Sequence, residues 1–415
     1  MEKINTATPE QRPAVKRAKG SEDLVRLCRG GGCLWHGPEK KCILTSDFHQ
    51  IESERMGLMD EIYRRLRARL DAMATGYPVT PSGVELALLK KIFSPLDASL
   101  FMEMTDVPET PGQVAARIGA DARQVALRLE DMASRGLLFR LRSPDGPLYL
   151  AVPFIVGIYE FQVKSLDASL LQSVSEYYLA GLGQSFHATR IPHLRTVPVD
   201  TGMVSSWPIA PYDDALSIVE KKQTIAVAEC LCRKAVRMYG KGCAHPLETC
   251  LQFDAFAEYY IDNHMARPIS TDEAVAILKA NDEAGLVIQA LNSRNVEAMC
   301  ACCGCCCGML ISLKLFPAPA REVKSNYTCM SEPEFCTGCG TCVVRCPVGA
   351  VRVKEGRAAT KQERCIGCGL CVSTCTEQIR LLVKKPSDKL YQPPESLLET
   401  FRQMSAERGT ADKRE

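Results

Sequence analysis

Long apolar runs are missing from this chain of 415 residues. The longest, 148–159, is 12 residues and contains Pro153 and Gly157, against the ~20 that a membrane helix needs. Residues 1–20 are polar, carry charges of both signs and have no apolar h-region, so no secretory signal is read and the expected compartment is the cytoplasm. Charge of one sign is lacking too: 51 Lys and Arg against 49 Asp and Glu leave +2. Global electrostatics therefore select neither nucleic acid nor an anionic membrane. Aromatics are scarce at 6%, with two Trp. No Walker A, G-x-G-x-x-G or G-x-S-x-G sequence is present, so no nucleotide, flavin or nicotinamide site and no small-molecule substrate is identified.

Cysteine is abundant, at 22 residues. In a reducing cytoplasm such density reads as metal ligation rather than disulfides. Exposed thiolates are open to oxidation, which points to an anaerobic or microaerobic host. The cysteines gather in four groups: Cys28, Cys33 and Cys42; Cys230, Cys232, Cys243 and Cys250; Cys300, Cys302, Cys303, Cys305, Cys306 and Cys307; and eight between Cys336 and Cys375. Cys329 stands alone and reads as an ordinary small residue. The Cys-free stretch 43–229 reads as scaffold.

Hydrophobic content of 46% and charged content of 24% fit a globular protein. The expected architecture is α+β and multidomain. Residues 1–80 would hold a tail, a Cys-rich loop and a long helix over 46–74. Residues 81–161 give helix signals and then strand signals: Pro111 after Thr110, Gly119 as a stop, Asp121 as a cap, then a hairpin around Ser143-Pro-Asp-Gly-Pro147. That order resembles a winged-helix domain. Residues 162–322 are expected to be a mostly helical, Cys-rich domain, 323–385 an iron–sulfur module, and 386–415 a polar tail with one short helix over 395–407.

Residues 336–347 read C-x2-C-x2-C-x3-C-P, and 365–375 repeat the spacing 29 residues later. This is the spacing of bacterial two-cluster ferredoxins, and the resemblance covers about 325–383. It implies a βαββαβ ferredoxin-like fold with crossed ligation. Cys336, Cys339, Cys342 and Cys375 would hold one [4Fe–4S] cluster; Cys365, Cys368, Cys371 and Cys346 would hold the other. Where such proteins usually have Cys-Pro, this chain has Cys375-Thr376. An added backbone donor there should raise the first cluster's potential. The module carries seven Lys or Arg against five Asp or Glu, more like a tethered wire than an acidic free carrier.

C-x-C-R from Cys230, followed by Cys243 and Cys250, and the run C-x-C-C-x-C-C-C-G from Cys300, are less standard. With the other segments they resemble a family of ferredoxin-like proteins of anaerobes in which a winged-helix segment and two such cysteine segments precede a two-cluster ferredoxin; the resemblance spans about 80–383. The ten cysteines Cys230, Cys232, Cys243, Cys250, Cys300, Cys302, Cys303, Cys305, Cys306 and Cys307 are candidate ligands for one or two further Fe–S clusters, with zinc as the alternative. Arg233, Lys234, Arg237 and Lys241 could offset cluster charge, or simply form a solvated helix face. Cys28, Cys33, His36 and Cys42 are a weaker CCHC metal candidate.

The leading functional expectation is an electron-transfer protein that passes single electrons to or from a partner oxidoreductase. The alternatives are a redox-responsive DNA-binding regulator, disfavoured by the charge balance of the third helix of that segment, 121–135, and a reductase centred on Cys300–Cys307.

Overall fold

The computed structural model describes residues 60–199 and 213–409. The CCHC candidate Cys28, Cys33, His36 and Cys42 and most of the expected 46–74 helix lie outside them. The described part of that helix, 60–71, buries Tyr63, Leu66 and Leu70 at helical spacing. Helices Val84–Ile92, Pro95–Glu103, Pro111–Ile118 and Ala122–Ser134 follow. Ser94 with Asp97, and Thr110 with Gln113, form reciprocal capping boxes ahead of a first-turn proline. Gly119, at φ 68°, ends the helix before Asp121 caps the next.

Strands β1 (Phe139–Leu141) and β2 (Leu148–Leu150) then pair as an antiparallel hairpin. The hairpin is held against the rest of the molecule. The Phe139 ring lies 4.8 Å from that of Phe256 and 4.7 Å from that of Tyr259. Arg142 bonds Asp262 at 2.5 Å.

The expected helical middle region is instead built around a six-stranded sheet. Its strands are β3 (Leu194–Thr196), β4 (Ile225–Glu229), β5 (Glu248–Phe253), β6 (Ala266–Pro268), β7 (Val287–Leu291) and β8 (Ala298–Cys302). They run antiparallel in the order β3-β7-β8-β5-β4-β6. The expectation failed for a physical reason. β4 and β7 are covered on both faces, so the two-residue alternation that marks a strand is absent from their sequence, and a short apolar run does not separate strand from helix.

One face of the sheet carries Ile225, Val227, Leu251, Phe253, Ile288, Ala290, Met299 and Ala301, packed with residues of helices Ala215–Glu220 and Thr271–Glu283. By alternation the other face carries Cys250, Cys300 and Cys302. Register sets Cys250 directly opposite Cys300.

The C-terminal module runs β9 (Tyr327–Ser331), helix Thr341–Arg345, β10 (Val351–Lys354), β11 (Arg357–Thr360) and β12 (Arg380–Lys384). β9 pairs with β12 and β10 with β11, both antiparallel. The second helix of the expected βαββαβ order is replaced by turns over 370–374. There the Thr374 hydroxyl bonds the Leu370 carbonyl at 3.0 Å, competing with a helical amide bond.

The expected short C-terminal helix is present as Leu397–Glu407, and it is a strap rather than a loose tail. Thr400 Oγ1 donates to the Asn292 carbonyl at 2.5 Å, and Arg408 donates to the Asp71 carbonyl at 2.6 Å. Among the described residues no helix is long and apolar enough to cross a membrane. Met404 on this strap is fully buried. Met404→Ala should lower stability by about 2–5 kcal/mol, read as a clear fall in the melting temperature of the metal-loaded chain by circular dichroism.

Candidate metal centres

The two Cys-x2-Cys-x2-Cys loops wrap two cavities. Cys336, Cys339, Cys342 and Cys375 line one. Cys346, Cys365, Cys368 and Cys371 line the other. In each, three cysteines of one motif meet the fourth of its repeat. Gly338 and Gly367 make the loops tight enough: both have φ near 70°, at 69° and 68°. A Cβ at these positions would overlap the carbonyl oxygens of Gly356 and Tyr327.

Backbone amides point at the sulfurs. Ala350 N–H donates to Cys346 at 3.1 Å, Ala358 N–H to Cys336 at 3.3 Å and Cys329 N–H to Cys365 at 3.4 Å. Four thiols around a cavity, with amide donors on the sulfurs, fit a [4Fe–4S] cluster in each. Thr376 lines the first cavity; its hydroxyl lies 3.5 Å from Glu377 Oε1.

Two residues that sequence reasoning passed over stand beside these sulfurs. Cys329 is buried, lines the second cavity and places Sγ 3.4 Å from Cys371 Sγ. A metal-bound Cys371 has no proton to give, so Cys329 is the donor of this bond. The bond from Cys329, joined by the Arg380 charge, holds Cys371 at about 6 against the effect of burial. A signal for Cys329 did exist: in β9 it shares the Tyr327/Cys329/Ser331 alternation.

Arg380 is 1% exposed. It donates to Ser331 Oγ, to Thr360 Oγ1 at 2.8 Å and to Cys371 Sγ at 3.5 Å, and it also lines the first cavity. One buried guanidinium thus serves both sulfur sets.

The ten middle cysteines divide into six and four. Cys230 and Cys232 stand at the start of helix Leu231–Met238, Cys250 on β5, Cys300 and Cys302 on β8, and Cys307 caps helix Gly308–Leu315. These six are mutual neighbours. Hydrogen bonds from Cys250 and then Cys302 push Cys300 down, and those from Cys232 and then Cys302 push Cys307 down. The same contacts, with burial, push Cys250 and Cys302 up, and Cys232 with burial pushes Cys230 up. Thiols this crowded do not all ionise together without added positive charge, which a metal centre would supply.

Gln252 Nε2 donates to Cys250 Sγ at 3.0 Å. Burial first, and then thiolates of the ring, push the hydroxyls of Tyr159, Tyr178 and Tyr260 up. Burial also pushes Glu160 up to about 7, with Cys300 adding to it.

Cys243, Cys303, Cys305 and Cys306 form the second set, with all four sulfurs within 4.8 Å of one another. Of the four basic residues after Cys232, Arg233 is wholly buried, beside Cys230, Cys303 and Cys243. Arg237 donates to the Cys243 carbonyl at 3.0 Å and shapes its loop. Lys234 pairs with Glu229 at 2.7 Å. Lys241 is exposed.

Residues 335–379 match the 4Fe-4S dicluster domain family. No curated protein and no solved structure matches the chain. The protein is an iron–sulfur protein whose C-terminal module holds two [4Fe–4S] clusters, in keeping with a role in electron transfer.

Proposed function

We propose that the chain is a multi-centre electron wire. Single electrons would pass between the Cys336/Cys339/Cys342/Cys375 cluster, the Cys346/Cys365/Cys368/Cys371 cluster and a third Fe–S centre on the ring of Cys230, Cys232, Cys250, Cys300, Cys302 and Cys307. The observation that carries this reading is the continuity of the cores. Cys329, Cys342 and Cys371 share one apolar cluster that also touches Cys336, Cys346 and Cys365. Cys302 and Cys307 share the next with Cys300, Cys346, Cys365 and Cys368. The three sulfur sets are therefore linked in series by shared apolar contacts.

The role of the residues follows. The thiolates ligate. The amides, Cys329 and Arg380 stabilise the reduced, more negative state of each cluster. The apolar shell excludes water. Cys339 is exposed, as are Val344 at 88% and Phe335 at 70%. This face is where a partner oxidoreductase of the cytoplasm would exchange electrons.

The segment 81–161, read as a winged helix, is on this proposal a scaffold for the wire. Three of its arginines are paired within it. Arg128 and Arg135 bond Asp97 at 2.6 and 3.0 Å, and Arg117 bonds Glu109. The hairpin is clamped on Asp262 and Phe256 rather than free to enter a DNA groove. Random or operator-like DNA should therefore show at most weak, steeply salt-dependent binding in a gel-shift titration; nanomolar selective binding at physiological salt would replace this reading by the regulator.

Iron and sulfide analysis of the anaerobically purified chain, with redox-poised electron paramagnetic resonance, tests the wire. More iron is expected than the ~8 atoms of two [4Fe–4S] clusters. Cys339→Ser should remove or convert one cluster and spare the other. An iron count of ~8 that Cys250→Ser leaves unchanged would confine the redox centres to the C-terminal module.

Potentials give a sharper check. Removing a donor or a buried positive charge disfavours the reduced cluster. Cys329→Ala should thus lower the potential of the second cluster alone, whereas Arg380→Met should lower both. Square-wave voltammetry separates the two outcomes, and an upward shift in either variant contradicts the assignment.

A further inference from the structure

The four-thiol set differs in kind from the other sulfur sets. Cys243 Sγ lies 3.7 Å from Cys303 Sγ and 3.8 Å from Cys306 Sγ, and Cys305 Sγ lies 3.8 Å from Cys306 Sγ. A tetrahedron of sulfurs around one ion, with metal–sulfur bonds of about 2.3 Å, has edges of about 3.8 Å. In a cubane each thiolate binds a different iron, so its four sulfurs stand farther apart than that. The molecule contains its own comparison: among the described residues, neither ferredoxin quartet and no three cysteines of the ring draw their sulfurs together within the 4.8 Å that encloses this set.

We infer that Cys243, Cys303, Cys305 and Cys306 bind a single tetrahedral, thiophilic divalent ion, zinc or iron, with no bridging sulfide. The site is separate from the electron wire and does not depend on it. Binding converts four thiols to thiolates, releases their protons to solvent and leaves a doubly negative unit. The buried Arg233 guanidinium stands next to that unit, beside Cys303 and Cys243. The backbone is cut to fit as well. Gly242 has φ 100°, and a Cβ on it would meet Cys306 Sγ at 3.2 Å, so glycine lets the Cys243 loop close on the others.

The ion also has a task in the fold. Cys302 and Cys307 belong to the ring, while Cys303, Cys305 and Cys306 between them turn to the ion. Fixing those three fixes the loop whose two ends present ring sulfurs. The metal ties this loop to the Cys243 loop.

The test uses the full chain, purified anaerobically with its clusters. Metal and sulfide analysis compares it with Cys305→Ser, at an exposed position, and with Cys243→Ser, on the other loop. Each variant should lose one metal equivalent, or surrender it to a chelator at least roughly tenfold faster, without losing sulfide.

Zinc or iron as the lost element identifies the ion. Edge spectra of the unmodified protein keep the question open to decision even if a variant misfolds. If the ion is zinc, the zinc edge should show four sulfur neighbours at about 2.3 Å and no metal–metal shell. If it is iron, Mössbauer spectra should show one mononuclear tetrathiolate site. Loss of sulfide together with several irons in Cys305→Ser would place these cysteines in a cluster. Unchanged metal content with unchanged chelator kinetics, or a holoprotein with neither signature, would also overturn the inference.

Discussion

Thiolates repel one another, and this protein gathers eighteen of its cysteines into four sets within one fold. That repulsion is the constraint on which the rest depends. Left as thiols, the sulfurs would be buried weak donors with few good acceptors; as thiolates, they would be buried anions of like charge. Cations resolve the conflict. In the ferredoxin module two [4Fe–4S] clusters supply most of the positive charge. Arg233 and Arg380, the two largest fully buried side chains among the described residues, supply more. Both lie against cysteines. Burying a guanidinium is costly unless it is paired: Arg380 reaches Cys371 Sγ at 3.5 Å, and Arg233 donates to the Pro246 and Ala301 carbonyls and to Thr249 Oγ1.

The surrounding architecture follows from holding these sets. A sheet whose one face is packed by helices leaves its other face to carry Cys250, Cys300 and Cys302 in fixed register. Helix starts at Cys230 and Cys307 bring sulfur to the same place with backbone amides nearby. The C-terminal strap returns across the sheet at Asn292 and Glu297, and on to Asp71. The ferredoxin module is therefore built into the chain's core. Asn326 at its start bonds Asp213 at 2.8 Å and Tyr391 at 3.0 Å.

What could be read in advance was local. The repeat from Cys336 and from Cys365 spans a few residues, so spacing alone conveys which thiols share a loop. The caps at Thr110 and Asp121 and the helix after Ser396 were legible for the same reason. The ring was not. Its six sulfurs come from separate elements, and their meeting depends on the register of β5 against β8, which no short pattern encodes. The sheet was hidden because strands covered on both faces lose their alternation. Arg233 was read alongside Lys234, Arg237 and Lys241 as one basic run, yet helix Leu231–Met238 sends the first into the core, the second to Glu229 and the third to a loop carbonyl, and Lys241 lies exposed past its end.

The crowding of Cys300–Cys307 looks excessive for any one centre, and the fold explains why it is not. β8 points Cys300 and Cys302 to one face by strand alternation. Where the strand ends, Gly304 opens a loop in which Cys303, Cys305 and Cys306 turn away together, and the next helix start returns Cys307 to the ring. Cys302 and Cys303 diverge by strand alternation, whereas Cys305 and Cys306 on the loop bring their sulfurs within 3.8 Å of each other. Two sites with different demands, one compact and one extended, can therefore share a single segment of eight residues.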